Sequence, residues 1–290
     1  MDQAVSDELL PHSSTKSVRL REGGTLHAMV AGSGPDIVLI HGSLATHQDW
    51  VSEPFSRLSE LGRAIAIDRP GHGASHRISA DGSLRFLAAQ LAEGLRMLGV
   101  AQAVVTAHSF GARLALAFAE QFPQMVSHLV LVSPAAFRHF RPFEHAMLAP
   151  RAMPLLATAW SMARASWGDR GWVEAVHRMM FSPGEPPRAW RSSYPWETIL
   201  DGAQMVREGE DFADLHPFAL EPDLRFSGID TPTMVLAGMA DLIVDPISQG
   251  QRLATIMPNA RLEAVAEEGH MLHHRRPEIL LGALCWALSG

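Results

Sequence analysis

The 290-residue chain is 47% hydrophobic and carries a formal net charge of −7 at pH 7. A chain of this length can bury a large core, and its apolar content excludes an intrinsically disordered protein. Nucleic acid is not an expected partner, because binding to phosphates requires clustered cations and the sequence has no basic block. Length and composition predict one α/β domain with an insertion, or at most two domains.

The cysteine content and the N-terminus bear on the cellular compartment. Cys285 is the single cysteine, so an intramolecular disulfide is excluded, in agreement with a reducing environment. It lies in an apolar helical pattern, and we expect a buried structural thiol. Residues 1–17 are polar without the apolar run of a secretory signal, and no stretch reaches the length of a membrane span. We therefore expect a cytoplasmic protein.

Predicted strands and helices alternate along most of the chain. Residues 17–20 and 26–31 flank a Glu-Gly-Gly turn and predict a β-hairpin. Short apolar runs that predict buried strands are found at residues 37–40, 64–67, 104–107, 129–132, 233–237 and 261–265. Helical patterns are found at residues 50–61, 84–98, 112–121, 246–257 and 277–288. This alternation predicts a mostly parallel sheet with right-handed crossovers.

The alternation is interrupted between residues 134 and 228. This segment has no clear buried strand and contains five of the seven Trp residues. Residues 138–178 hold six Arg and three acidic residues, whereas residues 197–223 hold eight acidic residues and one Arg. We interpret the segment as a mainly helical insertion whose two halves could attract each other. Its Trp and Met residues could form its own core or line a pocket for an apolar group, and both interpretations stay open.

The apolar run that begins at residue 104 leads directly into Ser109. The sequence VVTAHSFGA at 104–112 changes from a strand to a helical pattern at once, which is typical of a nucleophile elbow. In that sharp turn, the positions two before and two after the serine must be small. Ala107 and Gly111 meet this need, although glycine is usual at the first position. A serine that only caps the helix is the alternative.

Loops beyond three other predicted strands carry groups that could act with this serine. Asp241 follows the strand at 233–237, and His270 follows the strand at 261–265. A serine hydroxyl needs an imidazole to take its proton, and the imidazole needs a carboxylate to orient it. Backbone N–H groups of Ser43 and Phe110 could form an oxyanion hole.

Other residues compete for these roles. Asp245 is the alternative acid, although it precedes a proline and could cap the next helix. His273 and His274 are alternative bases, but we expect surface or packing roles for them. Their adjacency places the two rings on different faces of a helix, and no H-E-x-x-H or Cys/His spacing is present. We therefore expect no metal.

Five short motifs carry a family resemblance. They are HGS at 41–43, DRPGHG at 68–73, AHSFG at 107–111, GMAD at 238–241 and EGH at 268–270. From about residue 18 to the end, the chain resembles a capped serine hydrolase of the α/β-hydrolase superfamily. The resemblance implies a polar tail at residues 1–17, an α/β-hydrolase core at 18–133 and 229–290, and a helical cap at 134–228.

The resemblance also implies roles for individual residues. Ser109 would be the nucleophile, Asp241 the acid and His270 the base, with backbone donors at Ser43 and Phe110 and no cofactor. The implied activity is hydrolysis of a small, fairly hydrophobic ester or related acyl substrate through an acyl-enzyme. Carbon–carbon bond hydrolases, lactonases, acyltransferases and perhydrolases share this triad. A ligand-sensing receptor with little turnover also stays open, and the sequence gives no indication of oligomeric state.

Overall fold

An eight-stranded β-sheet forms the centre of the protein, whose computed structural model describes residues 13–51, 53–140, 142–148, 169–219 and 223–290. The strands are β1 (Ser14–Arg19), β2 (Thr25–Ala31), β3 (Asp36–Ile40), β4 (Arg63–Ile67), β5 (Ala103–His108), β6 (Val126–Val132), β7 (Thr233–Gly238) and β8 (Ala260–Val265). Their order across the sheet is β1-β2-β4-β3-β5-β6-β7-β8. The β1–β2 and β2–β4 pairings are antiparallel and the others are parallel, so the predicted mostly parallel sheet is confirmed.

Helices cover both faces of this sheet. They are α1 (Glu53–Leu61), α2 (Leu84–Met97), α3 (Gly111–Gln121), α4 (Pro142–Leu148), α5 (Asp169–Phe181), α6 (Arg188–Ser193), α7 (Trp196–Ile199), α8 (Gly202–Asp214), α9 (Arg252–Ile256), α10 (Leu272–Arg275) and α11 (Pro277–Ser289). Val38 and Ile40 of β3 pack on the side of α2 and α3, whereas Ile37 and Leu39 pack on the side of α1 and α11. The strand is apolar at these successive positions because both faces are covered. Within the described ranges, every helix is too short or too polar to traverse a lipid bilayer.

Three local features differ from the sequence expectations. Strand β1 begins at Ser14, inside the stretch assigned to the polar tail. The helix expected from residue 50 begins at Glu53, after a 3₁₀ turn at His47–Asp49. The expectation of a buried Cys285 is wrong, because this thiol is exposed. Helix α11 buries Leu284, and the next residue is rotated by about 100° around the helix axis, away from the sheet.

We call residues 134–228 the insertion. Its described residues form helices α4 to α8 between β6 and β7 and include no strand. Trp172 packs in an apolar cluster that includes Leu44 of the core, and Trp190 packs with Met271 in a second cluster. Large apolar side chains therefore attach the insertion to the core. Trp160, Trp167, Met153 and Met162 of the insertion lie outside the described residues.

Ion pairs add to this attachment along helix α8. Its acidic side chains pair with arginines of the core, as Asp211–Arg69 (2.7 Å), Glu210–Arg77 and Asp214–Arg113 (2.7 Å). Within the insertion, Arg138 contacts Asp214 at 3.2 Å. In the described part of the chain, the acidic half of the insertion is therefore drawn to the core as well as to its own basic half, which the sequence did not indicate.

One carboxyl group at this junction is held without its charge. Glu208 is fully buried, and burial together with the negative charge of Asp211 raises the pKa of Glu208 to about 8. Arg69 opposes this shift, because its guanidinium favours the carboxylate, but it is already paired with Asp211. Glu208 is therefore protonated at neutral pH in the folded chain, whereas the ordinary pKa of 4.5 leaves it ionised once the chain unfolds.

Replacing Glu208 by Gln should change how stability depends on pH. Because folding raises the pKa of an acid, the wild type loses stability as pH rises from about 4.5 to about 8, and the loss is complete above that value. The substituted amide would mimic the protonated acid and carry no such penalty. We expect the melting temperature of Glu208→Gln, relative to wild type, to rise between pH 5 and pH 8 and then to level off, as measured by circular dichroism.

Glu210→Gln is the matched control on the same helix. Glu210 is partly exposed and paired with Arg77, so removing its charge should not produce a gain in melting temperature that grows with pH. A difference between Glu208→Gln and wild type that is the same at every pH would contradict the assignment of a protonated Glu208.

Candidate active site

Ser109 occupies a strained turn between β5 and α3. Its φ angle is +51°, in the left-handed region that residues other than glycine rarely adopt. The turn also brings two backbones together, because a Cβ on Gly111 would lie 2.4 Å from the carbonyl oxygen of His41. Glycine at this position and the buried Ala107 are therefore required by space. This geometry is compatible with the nucleophile elbow that the sequence predicts.

His270 and Asp241 form a hydrogen bond at the neighbouring strand ends. The distance from His270 Nδ1 to Asp241 Oδ2 is 2.7 Å, and both side chains are almost fully buried. The other carboxylate oxygen accepts backbone N–H groups of Ile243 (2.7 Å) and Val244 (2.9 Å), which fixes the carboxylate in place. Because a carboxylate only accepts, the hydrogen lies on Nδ1, and Nε2 keeps the lone pair that a general base needs.

The alternative acid occupies a different environment. Asp245 is exposed, and its carboxylate accepts the backbone N–H of Ser248 at 2.7 Å. Hydrogen bonds from Ser248 lower the pKa of Asp245. Its side chain thus caps the turn that leads into α9. Among the described residues, Asp241 and not Asp245 contacts His270.

Four of the five predicted site residues border one cavity. Its space is about 530 Å³, including the part open to solvent, and Ser43, Ser109, Phe110 and His270 line it. The rest of the described lining consists of Leu44, Ala135, His139, Trp172, Val176, Met180, Phe212, Leu215, Ile243 and Val244. The hydroxyl of Ser109 and the imidazole of His270 do not hydrogen-bond directly in the described structure; contacts of this kind often shorten when substrate binds.

The loop after β3 lies against the elbow. A Cβ on Gly42 would approach the Cβ of Ser109 to 3.0 Å, so the loop that carries Ser43 is in close contact with Ser109. Phe110 immediately precedes α3, whose first N–H groups have no partner inside the helix. The helix dipole adds positive potential at the same end. The positions of Ser43 and Phe110 are therefore compatible with two backbone donors for an oxyanion.

A buried group of polar side chains lies behind His270, and sequence reasoning missed it. His273 Nε2 and His274 Nε2 lie 3.2 and 2.9 Å from the two carboxylate oxygens of Asp49, so the expectation that the rings occupy different faces is wrong. The two rings lie side by side, with their centroids 4.2 Å apart. Although burial raises the pKa of Asp49, the positive potential of His274 and hydrogen bonds from both histidines hold it well below the ordinary value. Burial lowers the pKa of His273 to about 4, so this ring is neutral.

Asp49, His273 and His274 each offer one possible metal-ligand atom, and these atoms lie within 4.8 Å of one another, close enough to share one metal ion. Two further sets have the same spacing, namely His27, His47 and Asp68, and His72, Glu208 and Asp211. In the Asp49 group the Nε2 atoms are already used in hydrogen bonds to the carboxylate, and Trp190 Nε1 donates to the same carboxylate at 2.9 Å. The expected absence of a metal stays a prediction.

His108, the residue before Ser109, connects this group to His270. Its Nε2 donates to the backbone carbonyl of His270 at 3.2 Å, and the centroid of its ring lies 4.4 Å from the centroid of the His273 ring. Burial lowers the pKa of His108 well below the ordinary value, so it is a neutral hydrogen-bond donor. The elbow and the His270 loop are therefore tied together by a side chain as well as by the sheet.

Comparisons with known proteins agree with this architecture. The model of the alpha/beta hydrolase fold family matches residues 35–277. A 2-hydroxy-6-oxononadienedioate/2-hydroxy-6-oxononatrienedioate hydrolase from Paraburkholderia phymatum is 34% identical over 277 residues, which cover 89% of this chain and 90% of that protein.

Solved structures show the same fold at lower identity. An esterase from Exiguobacterium antarcticum superposes with a TM-score of 0.74 at 19% identity, covering 96% of this chain and 100% of the other. A thermophilic esterase from Thermogutta terrifontis gives a TM-score of 0.72 at 20% identity, with 95% and 98% covered. With the fold, the family match and the 34% identical relative in agreement, the chain belongs to the α/β-hydrolase fold family.

Proposed function

We propose that this protein is a serine hydrolase that cleaves a small, fairly hydrophobic ester or related acyl compound through an acyl-enzyme. The observation that carries the proposal is the buried His270–Asp241 hydrogen bond of 2.7 Å beside a cavity that also contains Ser109 at its strained elbow. A buried imidazole oriented by a carboxylate, next to a hydroxyl that borders a cavity, is the arrangement that activates a serine nucleophile.

The reaction follows from the positions of these groups. Ser109 Oγ attacks the substrate carbonyl carbon while His270 Nε2 takes the hydroxyl proton. The oxyanion that forms is stabilised by the N–H groups of Ser43 and Phe110. His270 then gives its proton to the leaving oxygen as the C–O bond breaks, which leaves an acyl group on Ser109. A water molecule deprotonated by His270 releases the acid and restores the serine.

The lining of the cavity supports a neutral, apolar acyl group. Apart from the proposed reacting residues and Ser43, His139 is the one polar side chain among the described lining residues, and none of these carries a formal charge from Lys, Arg, Asp or Glu. Burying a substrate carboxylate in such a lining without a cation would be costly. Trp172 and Phe212 instead offer large apolar surfaces to an acyl chain or aromatic group.

A second candidate is hydrolysis of a dicarboxylate. It is supported by the 34% identical relative, which is named as the hydrolase of a dioate. The described lining of the cavity favours the neutral ester over this alternative, because a dioate would require cationic side chains near its carboxylates. Carbon–carbon bond hydrolase, lactonase, acyltransferase and perhydrolase activities, and ligand sensing with little turnover, are alternatives that the same residues would serve.

Replacing Ser109 by Ala should abolish both turnover and covalent labelling. We expect a fluorophosphonate probe to label the wild type and not Ser109→Ala, as measured by intact-protein mass spectrometry. Ser133→Ala is the matched control, since Ser133 is also buried with a positive φ of +45° at the end of the adjacent strand and does not line the cavity. Labelling of Ser109→Ala, or no labelling of the wild type, would contradict the proposal.

The two candidate acids can be separated by conservative substitutions. Asp241→Asn should lower kcat on a reactive ester by about 10³–10⁴-fold, because the imidazole loses the acceptor that fixes its tautomer. Asp245→Asn should change kcat less than about two-fold, because its carboxylate caps a turn and does not contact His270. Equal losses in the two variants would argue against Asp241 as the partner of His270.

A series of p-nitrophenyl esters tests the apolar cavity. We expect kcat/KM to rise by about ten-fold from acetate to butyrate and by about ten-fold again from butyrate to hexanoate, since each step adds two CH₂ groups, each contributing about 0.8 kcal/mol when buried, and the lining is apolar. Monoesters of dicarboxylic acids with the same chain length provide the comparison. A profile that is flat, or that favours the charged monoesters, would contradict the proposed substrate class.

A further inference from the structure

The loop after β3 is held by side chains of the insertion. We call residues 41–44 the oxyanion loop, since it carries Ser43, one of the two proposed donors. At its end Leu44 has a φ of +52°, a left-handed conformation that is strained for a leucine. Such a conformation persists only where the surroundings impose it. The contacts around Leu44 therefore show which residues hold the loop in this conformation.

Tyr194 makes the first of these contacts. This residue lies between α6 and α7 of the insertion, and its hydroxyl donates to the carbonyl oxygen of Leu44 at 2.7 Å. Its ring packs against Trp190 and Trp196 with centroids 5.0 and 4.7 Å apart, which fixes the direction of the hydroxyl. Burial raises the pKa of Tyr194 well above its ordinary value, so the donor proton is retained.

Helix α8 makes the second contact through an arginine of the core. Asp211 accepts from Arg69 Nη1 at 2.7 Å, and Arg69 Nη2 donates to the carbonyl oxygen of Gly42 at 3.1 Å. His41 Nδ1 also donates to this oxygen at 2.8 Å. The guanidinium of Arg69 lies 5.0 Å from the centroid of the Phe110 ring, the residue that carries the other proposed donor.

The two contacts to the Gly42 carbonyl orient the N–H group of Ser43. The carbonyl of Gly42 and the N–H of Ser43 belong to one planar trans peptide, so fixing the oxygen on one side fixes the hydrogen on the other. The bond from Tyr194 holds the carbonyl of Leu44, one residue beyond Ser43. The carbonyl groups of Gly42 and Leu44 are thus both bound by side chains that the insertion supplies or positions.

We propose that the insertion positions the oxyanion hole, with Tyr194 and the Asp211–Arg69 pair as positioning residues on either side of Ser43. The inference rests on the proposed function of Ser43 and Phe110. Neither Tyr194 nor Asp211 is among the described residues that line the cavity, so both act through the oxyanion loop and not on the substrate. Seating of the insertion on the core would then bring the donors into position as well as close the pocket.

Tyr194→Phe tests the proposal with the least disturbance, because the ring contacts are retained and one hydroxyl is removed. We expect kcat on a p-nitrophenyl ester to fall by about 10–100-fold with KM within about two-fold, since an interaction made only with the developing oxyanion is weakened. Ser192→Ala is the matched control, because it removes an exposed hydroxyl from the same insertion that bonds only within its own helix; it should retain full activity.

Hydrogen exchange measured by mass spectrometry gives a readout independent of turnover. The peptide that covers residues 41–47 should exchange at least about five-fold faster in Tyr194→Phe than in wild type, and at the wild-type rate in Ser192→Ala. Faster exchange with reduced kcat supports the proposal. Unchanged exchange, or faster exchange with unchanged kcat, overturns it. A wild type that neither turns over esters nor reacts with a fluorophosphonate would overturn the proposed function, and exchange would still report separately whether Tyr194 holds the loop.

Discussion

The register of the parallel strands is the constraint on which the site depends. Neighbouring strands end at matched heights, as the pairs Ile40–Ala107, His108–Val132, Val132–Leu236 and Gly238–Val265 show. The loops after β3, β5, β7 and β8 therefore leave the sheet side by side, and residues far apart in the chain meet at one edge. A slip of one residue would shift a strand end by about 3.3 Å relative to its neighbour, so the relative positions of these loops depend on the register.

The strain at Ser109 is tolerated because this framework surrounds it. Strand β5 is buried along its whole length and pairs with a strand on each side. The backbone that follows it must therefore turn sharply to reach α3. Gly111 allows the backbone of the loop after β3 to approach the turn at a distance that a Cβ would prevent, and Gly42 of that loop lies close to Ser109. The small residues of the motif are thus a consequence of crowding where the loop after β3 meets the turn between β5 and α3.

The sheet, its helical layers and four of the residues that border the cavity could be predicted, because each depends on a pattern within a few residues. Buried strands are apolar at successive positions, and the elbow is recognisable from Ala107 to Gly111. The Asp49 group could not be predicted in the same way, since Asp49 lies more than 220 residues from His273 and His274, and no local pattern relates them. The exposure of Cys285 was missed for a related reason: α11 is apolar on most sides, so its sequence does not show which side meets the sheet.

The contacts between the insertion and the core combine two kinds of interaction that have different effects. Apolar packing, as between Trp172 and Leu44, stabilises the junction but has no preferred direction. Buried polar groups are costly to desolvate, and similar stability could be reached with apolar residues.

A backbone carbonyl, however, can be oriented only by a donor that points at it, as Tyr194 and Arg69 do here. Polar contacts at this junction therefore supply direction, and they supply it to the backbone on either side of Ser43. An insertion attached by apolar contacts alone would still cover the cavity. The left-handed backbone at Leu44 would then lose the hydrogen bond from Tyr194, and the strained conformation could relax.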